Sequence, residues 1–332
     1  LTDLILHIGL SKCASSTLQQ RVFCHERGYL GTQPGLALDE NLAMQLLHAG
    51  PYVGRQTINK RRLAQWAERV RQKRDENWPG IPRIILSMET LSAASRLSDR
   101  PFLKILSIIK NQLWNEGRIK VVLILRSQAA RLASNYAQTS QTNWQAGQAD
   151  FERSLQRTLN DDRKLRLLDY SKWVEGLHSV LGKENVCVLL LEDSKTEAFW
   201  QRLAAFCQLE EFDAAKMIAP ESEQKNTRRK STHRWTLSEM DALLTARATT
   251  DKWYNFVWPG KFLVPVRDRF KQHSAERLQS YFEKKPEKTA TRERDSEIVL
   301  SPEAKTIIES KCGPANECLA SLLGRDLKSL GY

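Results

Sequence analysis

The chain has 332 residues, room for one large α/β domain with insertions or for two smaller domains; 41% of them are apolar, with only 15 Gly and 11 Pro. That composition excludes collagen-like, linker-like and disordered classes. Its 51 Lys and Arg against 39 Asp and Glu leave a formal charge of +12, which favours an anionic ligand or partner such as a nucleotide, a sulfated sugar, nucleic acid or a membrane surface.

The longest apolar runs, such as Val121 to Leu125 and Val188 to Leu191, fall far short of the roughly 18 residues that cross a bilayer. The opening LTDLILHIGL has no basic segment of the kind that begins a secretory leader, so a soluble, cytoplasmic protein is expected. The cysteines at 13, 24, 187, 207, 312 and 318 include no CxxC pair and have no histidines at ligand spacing. A reducing compartment and no metal site are expected.

In chain order, Leu4 to Gly9, Arg83 to Met88, Ile119 to Arg126 and Asn185 to Glu192 read as short strands buried on both faces, separated by long helical stretches. That alternation predicts a parallel sheet. Helix Lys60 to Arg74 carries Arg61, Arg62, Arg69, Arg71 and Lys73, a solvated face or the wall of an anionic acceptor cleft. Phe151, Leu155 and Leu159 follow at helical spacing, and Tyr170, Trp173, Val174, Leu177 and Leu181 make an apolar stripe closed by Gly182. Those aromatics are expected in the core.

Beyond a helix bearing Phe199, Trp200, Leu203, Phe206 and Cys207 the pattern changes. Glu221 to Trp235 is polar and basic with no strand expected after it, and Glu283 to Asp295 is a charge run. Residues 221–300 are therefore read as an insertion or lid. Ser301, Pro302 and Glu303 start a last helix as cap, first turn and dipole partner, and Cys318 to Tyr332 reads as a short helical tail.

The most informative stretch is HIGLSKCASSTLQQRVF, residues 7–23, where a buried strand ends at Gly9 and a loop with Lys12 and the hydroxyls of Ser15, Ser16 and Thr17 leads into a helix. Main-chain N–H groups at the helix start, its positive dipole end, Lys12, Ser15, Ser16 and Thr17 converge in such a loop on a phosphate. In the plainer reading a serine only caps the helix. A nucleotide-hydrolysing loop requires a second glycine before the Lys and a hydroxyl just after it for magnesium, and Cys13 stands there instead.

With Lys12, Cys13, Ala14, Ser15, Ser16 and Thr17 in this order, the sequence resembles the PAPS-dependent sulfotransferases, closest in pattern to bacterial and carbohydrate-type enzymes. In that family a Lys, two small residues and a pair of hydroxyls after the first strand hold the 5′-phosphosulfate. A second mark is a strand ending in Arg with a Ser eight residues on, and VVLILRSQAARLASNYAQ supplies Arg126 and Ser134. RIILSMETLS, NVCVLLLEDS, a basic loop with Asn226 and the LLGRDLKSLGY tail extend the likeness along the chain. It departs at Cys13, where Thr or Ser is usual, and at Ala14, where Gly is frequent.

The resemblance implies a P-loop NTPase-like α/β fold with a central parallel sheet, flanking helices and helical insertions, as a single domain over 1–332. It implies transfer of a sulfuryl group from PAPS to a hydroxyl or amine of a carbohydrate or small-molecule acceptor, releasing adenosine 3′,5′-bisphosphate (PAP). Lys12 is then a catalytic residue as well as a cofactor contact, Arg126 and Ser134 hold the 3′-phosphate, and Asn226, Arg228 and Arg229 fold over the nucleotide from the loop 223–231. Glu89, just past the second buried strand, is the candidate general base. Two other readings stay open, a nucleotide-dependent kinase of related fold and a non-enzymatic polyanion or nucleic-acid binder; the favoured one expects no metal and no nucleic-acid partner.

Overall fold

The computed structural model describes residues 1–10, 12–23, 28–30, 58–88, 99–143, 145–218, 233–238 and 296–332. By contact density the chain divides into two units: Leu1–Arg131, Thr158–Lys225 and Ile307–Tyr332 make the first, Leu132–Arg157 and Asn226–Thr306 the second.

The first unit holds β1 (Asp3–Gly9), β2 (Tyr29–Leu30), β3 (Arg83–Met88), β4 (Ile119–Leu125) and β5 (Val186–Leu190). They form one sheet in the order β2-β3-β1-β4-β5, each neighbour parallel to the next. Every residue of β1, β4 and β5 is buried, as continuous apolar runs covered on both faces require. The expected α/β architecture with a central parallel sheet and flanking helices is therefore present. β4 and β5 stop at Leu125 and Leu190, short of the expected ends at Arg126 and Glu192, and Leu191–Lys195 turns away as a 3₁₀ segment.

Chain order and sheet order together set the functional edge. From β1 the chain moves to β2 and β3 on one side, then returns past β1 to β4 and β5 on the other. The crossovers thus diverge between β1 and β4, and ligands of open α/β sheets bind at the carboxyl ends of the strands where that happens.

Among the described residues the α-helices are α1 (Ser15–Thr17, continuing as a π-helical turn Leu18–Val22), α2 (Lys60–Asn77), α3 (Asp99–Ile108), α4 (Gln128–Thr139), α5 (Gln148–Leu159), α6 (Asp162–Arg166), α7 (Tyr170–Leu181), α8 (Glu197–Cys207) and α9 (Pro302–Leu323). α2 buries Leu63, Trp66, Ala67 and Val70 at three- and four-residue spacing. α7 packs on α3, β4 and β5 through the stripe read from sequence, and Gly182 takes φ 91° at its end. A buried amide pair joins α9 to the first turn of α4, Gln128 Nε2 donating to Asn316 Oδ1 at 2.6 Å. Among the described residues no helix is long and apolar enough to cross a membrane.

In the second unit β6 (Arg234–Thr236) pairs antiparallel with β7 (Glu297–Val299), where no strand was expected. Three-residue strands carry no readable alternation, and their partners lie some sixty residues apart. Trp235 and Ile298 face each other across the pair and are buried. The Gln148 side chain extends the ladder, donating to the Val299 carbonyl at 3.0 Å and accepting its N–H at 2.7 Å. α9 is capped by Ser301, whose Oγ accepts the Ala304 N–H at 3.1 Å. It runs unbroken through Pro314 to Leu323, so the expected tail is the end of this helix followed by a 3₁₀ turn at Lys328–Leu330.

Candidate active site at the carboxyl edge of the sheet

β1 delivers the chain to Gly9, and the loop that follows curls sharply. Lys12 and Ala14 both sit in the left-handed region, φ 70° and 62°, on either side of Cys13. Non-glycine residues there cost about 1–2 kcal/mol each, a strain typical of functional loops. Main-chain N–H groups in such a curl converge on one concavity. Ala14 is the N-cap of α1 and makes no side-chain capping bond, and no acidic residue stands in the first turn. The simple capping role open to Ser15 or Ser16 from sequence is not the one taken.

Each loop side chain has a distinct place. Lys12, Ala14 and Thr17 are half-buried and Ser16 is exposed. Ser15 is only 2% exposed, and its Oγ has no hydrogen-bond partner within the protein. A buried hydroxyl without a partner costs about 1–3 kcal/mol, so a bound oxyanion fits there better than a dry loop. Cys13 is fully buried with its N–H on the Leu10 carbonyl at 3.2 Å. With its N–H engaged by Leu10 and its thiol enclosed by protein, this position shapes the loop from within.

Arg126 of the second motif meets the loop where the crossovers diverge between β1 and β4. Arg126, the residue after β4, donates from Nη1 to the Lys12 carbonyl at 3.3 Å. Ser134 stands two turns along the same chain segment on α4, half-buried, and belongs to the second unit. Glu89 follows the last residue of β3 in sequence but lies outside the described residues, as do Asn226, Arg228 and Arg229.

Sequence reasoning missed the groups behind Arg126. Tyr170, expected as plain core, donates its hydroxyl to the Arg126 carbonyl at 3.0 Å and accepts from Arg131 Nη1 at 3.3 Å. The Glu192 carboxylate accepts the Ser127 N–H at 2.9 Å through Oε1 and the Tyr332 hydroxyl at 3.1 Å through Oε2. The Tyr332 ring stands edge-on to Tyr170 with centroids 6.4 Å apart. Burial pushes the Tyr170 hydroxyl up to about 12, and burial together with Glu192 raises that of Tyr332, so both stay protonated donors. The signal available in sequence was a hydroxyl-bearing aromatic on an otherwise apolar stripe.

Comparison with protein-family models, with curated proteins and with solved structures finds no match. The chemistry of the site therefore rests on its own residues and geometry.

Proposed function

We propose that the protein is a PAPS-dependent sulfotransferase whose nucleotide lies at the carboxyl edge of the sheet between β1 and β4. The observation that carries this reading is the bond from Arg126 to the Lys12 carbonyl, which joins residues of the two motifs 114 positions apart. Chance similarity in either motif gives no reason for them to meet at the edge where open α/β sheets bind ligands.

In this reading the loop from Lys12 and the Ser15 hydroxyl hold the 5′-phosphosulfate, and Arg126 holds the 3′-phosphate, to which the resemblance also assigns Ser134. The resemblance also assigns Asn226, Arg228 and Arg229 to the nucleotide. PAPS supplies an activated sulfuryl group. Lys12 stabilises the bridging oxygen as it takes the electron pair of the breaking S–O bond, while Glu89 removes the proton from the attacking hydroxyl or amine. Glu89→Gln keeps the shape and loses the base, so turnover should fall by roughly 10² to 10⁴ with PAP binding unchanged.

A thermal-shift screen tests the reading against its two rivals. PAP at a hundredfold over its Kd should stabilise the fold by about 2.7 kcal/mol, while ATP with magnesium and a bulk oligonucleotide leave it unmoved. Stabilisation by ATP with magnesium alone would favour a kinase, and by oligonucleotide alone a polyanion binder. Labelled PAPS offered with a panel of hydroxyl and amine acceptors, carbohydrates first, then reads the transfer itself.

A further inference from the structure

The bonds behind Arg126 act on one chemical unit. The Arg126 carbonyl and the Ser127 N–H are the two ends of a single planar peptide group. Tyr170 holds the carbonyl at 3.0 Å, and Glu192 holds the N–H at 2.9 Å. Rotation of that peptide plane, which would swing the Arg126 side chain, breaks one bond or the other. The two clamping groups are themselves fixed: Tyr332 donates to the free oxygen of Glu192 and packs edge-on against Tyr170, while Arg131 donates to the Tyr170 hydroxyl.

An anionic side chain beside a site for a polyanion is costly unless it does something there. Both Glu192 oxygens are occupied by protein donors, one of them the N–H of the residue that caps α4, whose carbonyl accepts from Arg131 N at 2.9 Å. The carboxylate therefore directs its charge at the positive end of α4 and at a tyrosine hydroxyl. Ser127 is 6% exposed, so its N–H has no water to replace a lost acceptor.

We infer that Glu192 and Tyr170 are positioning residues, a clamp on the Arg126–Ser127 peptide that pre-sets the Arg126 guanidinium for the 3′-phosphate; this rests on the sulfotransferase reading above. The clamp touches no ligand. It lowers the cost of ordering Arg126 on binding, as supporting contacts around a recognition group do.

The test is calorimetry with two nucleotides, PAP, which carries the 3′-phosphate, and adenosine 5′-phosphosulfate, which lacks it. Glu192→Leu removes the acceptor at similar volume and should weaken PAP about tenfold while leaving adenosine 5′-phosphosulfate within about twofold. Glu192→Gln, whose amide oxygen still accepts the Ser127 N–H, should restore PAP binding to within about threefold of wild type. Tyr170→Phe keeps the ring, loses only the hydroxyl and should weaken PAP selectively in the same way, which keeps the test decisive should the Leu variant fail to fold. A wild type that binds PAP with Leu and Phe variants that bind it equally well, or that lose both nucleotides in parallel, overturns the clamp alone. A wild type that binds no PAP overturns the sulfotransferase reading and the clamp with it.

Discussion

His7 Nδ1 and Ser87 Oγ lie 2.7 Å apart across the β1–β3 pairing, and Gln19 Nε2 donates to the same hydroxyl at 3.1 Å. The imidazole is fully buried beside Phe23, and its Nε2 finds no partner in the protein. Burial pushes its pKa down to about 3.

The sign of the pH effect follows. The unfolded chain protonates His7 near 6.5, and the folded one keeps it neutral to about 3. Its contribution is complete above pH 6.5 and is lost as pH falls toward 3, at up to about 1.4 kcal/mol per pH unit. Urea unfolding between pH 7 and 5 should show that loss in wild type and lack it in His7→Gln. Parallel stability curves for the two would place the titrating group elsewhere.

Asp3 and Lys120 form a second buried arrangement with unequal partners. Their ion pair spans 2.9 Å with side chains 8% and 7% exposed, and Asp3 also accepts from Arg118 N at 3.0 Å and Nη2 at 2.9 Å. Burial works against the carboxylate, and the bonds from Arg118 and Lys120 more than offset it, holding the pKa below the usual range. Among the described residues Lys120 keeps the Phe206 ring, 5.6 Å from its Nζ, once Asp3 is gone. Asp3→Leu should therefore cost roughly 3–5 kcal/mol and Lys120→Met clearly less, since Arg118 still satisfies the carboxylate. Equal costs in chemical denaturation would show that the pair acts as a simple two-body bridge.

Lys12 and Ala14 allow strain and chemistry to be separated. Ala14→Gly relieves the left-handed φ of 62° and should stabilise the protein by about 0.5–1 kcal/mol with the site intact. Lys12→Gly should stabilise it similarly, while Lys12→Ala keeps the strain; both should lose roughly 100-fold or more in turnover at saturating PAPS. A glycine variant that is more stable and fully active would remove Lys12 from the chemistry.

Arg126→Ala and Ser134→Ala test the proposed contact with the 3′-phosphate. Each should weaken PAP by about 1.5–3 kcal/mol and leave adenosine 5′-phosphosulfate nearly unaffected. Equal weakening of both nucleotides in calorimetry would mean these residues support the fold and do not read that phosphate.

Four of the five strands of the sheet, the α7 stripe and the cap of α9 were legible because each is a local pattern: an apolar run, a 3.6-residue period, a Ser-Pro-Glu start; β2, two residues long, carries no such run and was not expected. The loop at 12–17 stood out for the same reason, its Lys and hydroxyls lying within six residues. Only the tertiary structure decided that Lys12 and Ala14 take left-handed conformations, that the Cys13 thiol turns inward and that Arg126 reaches the Lys12 carbonyl. It also made Tyr170, Glu192 and Tyr332 one network around a peptide group. Hydrogen bonds between residues 44, 65 and 140 positions apart leave no periodic trace. The order of strands in the sheet sets those separations, and that order comes from packing the whole core, which no single segment of the chain encodes.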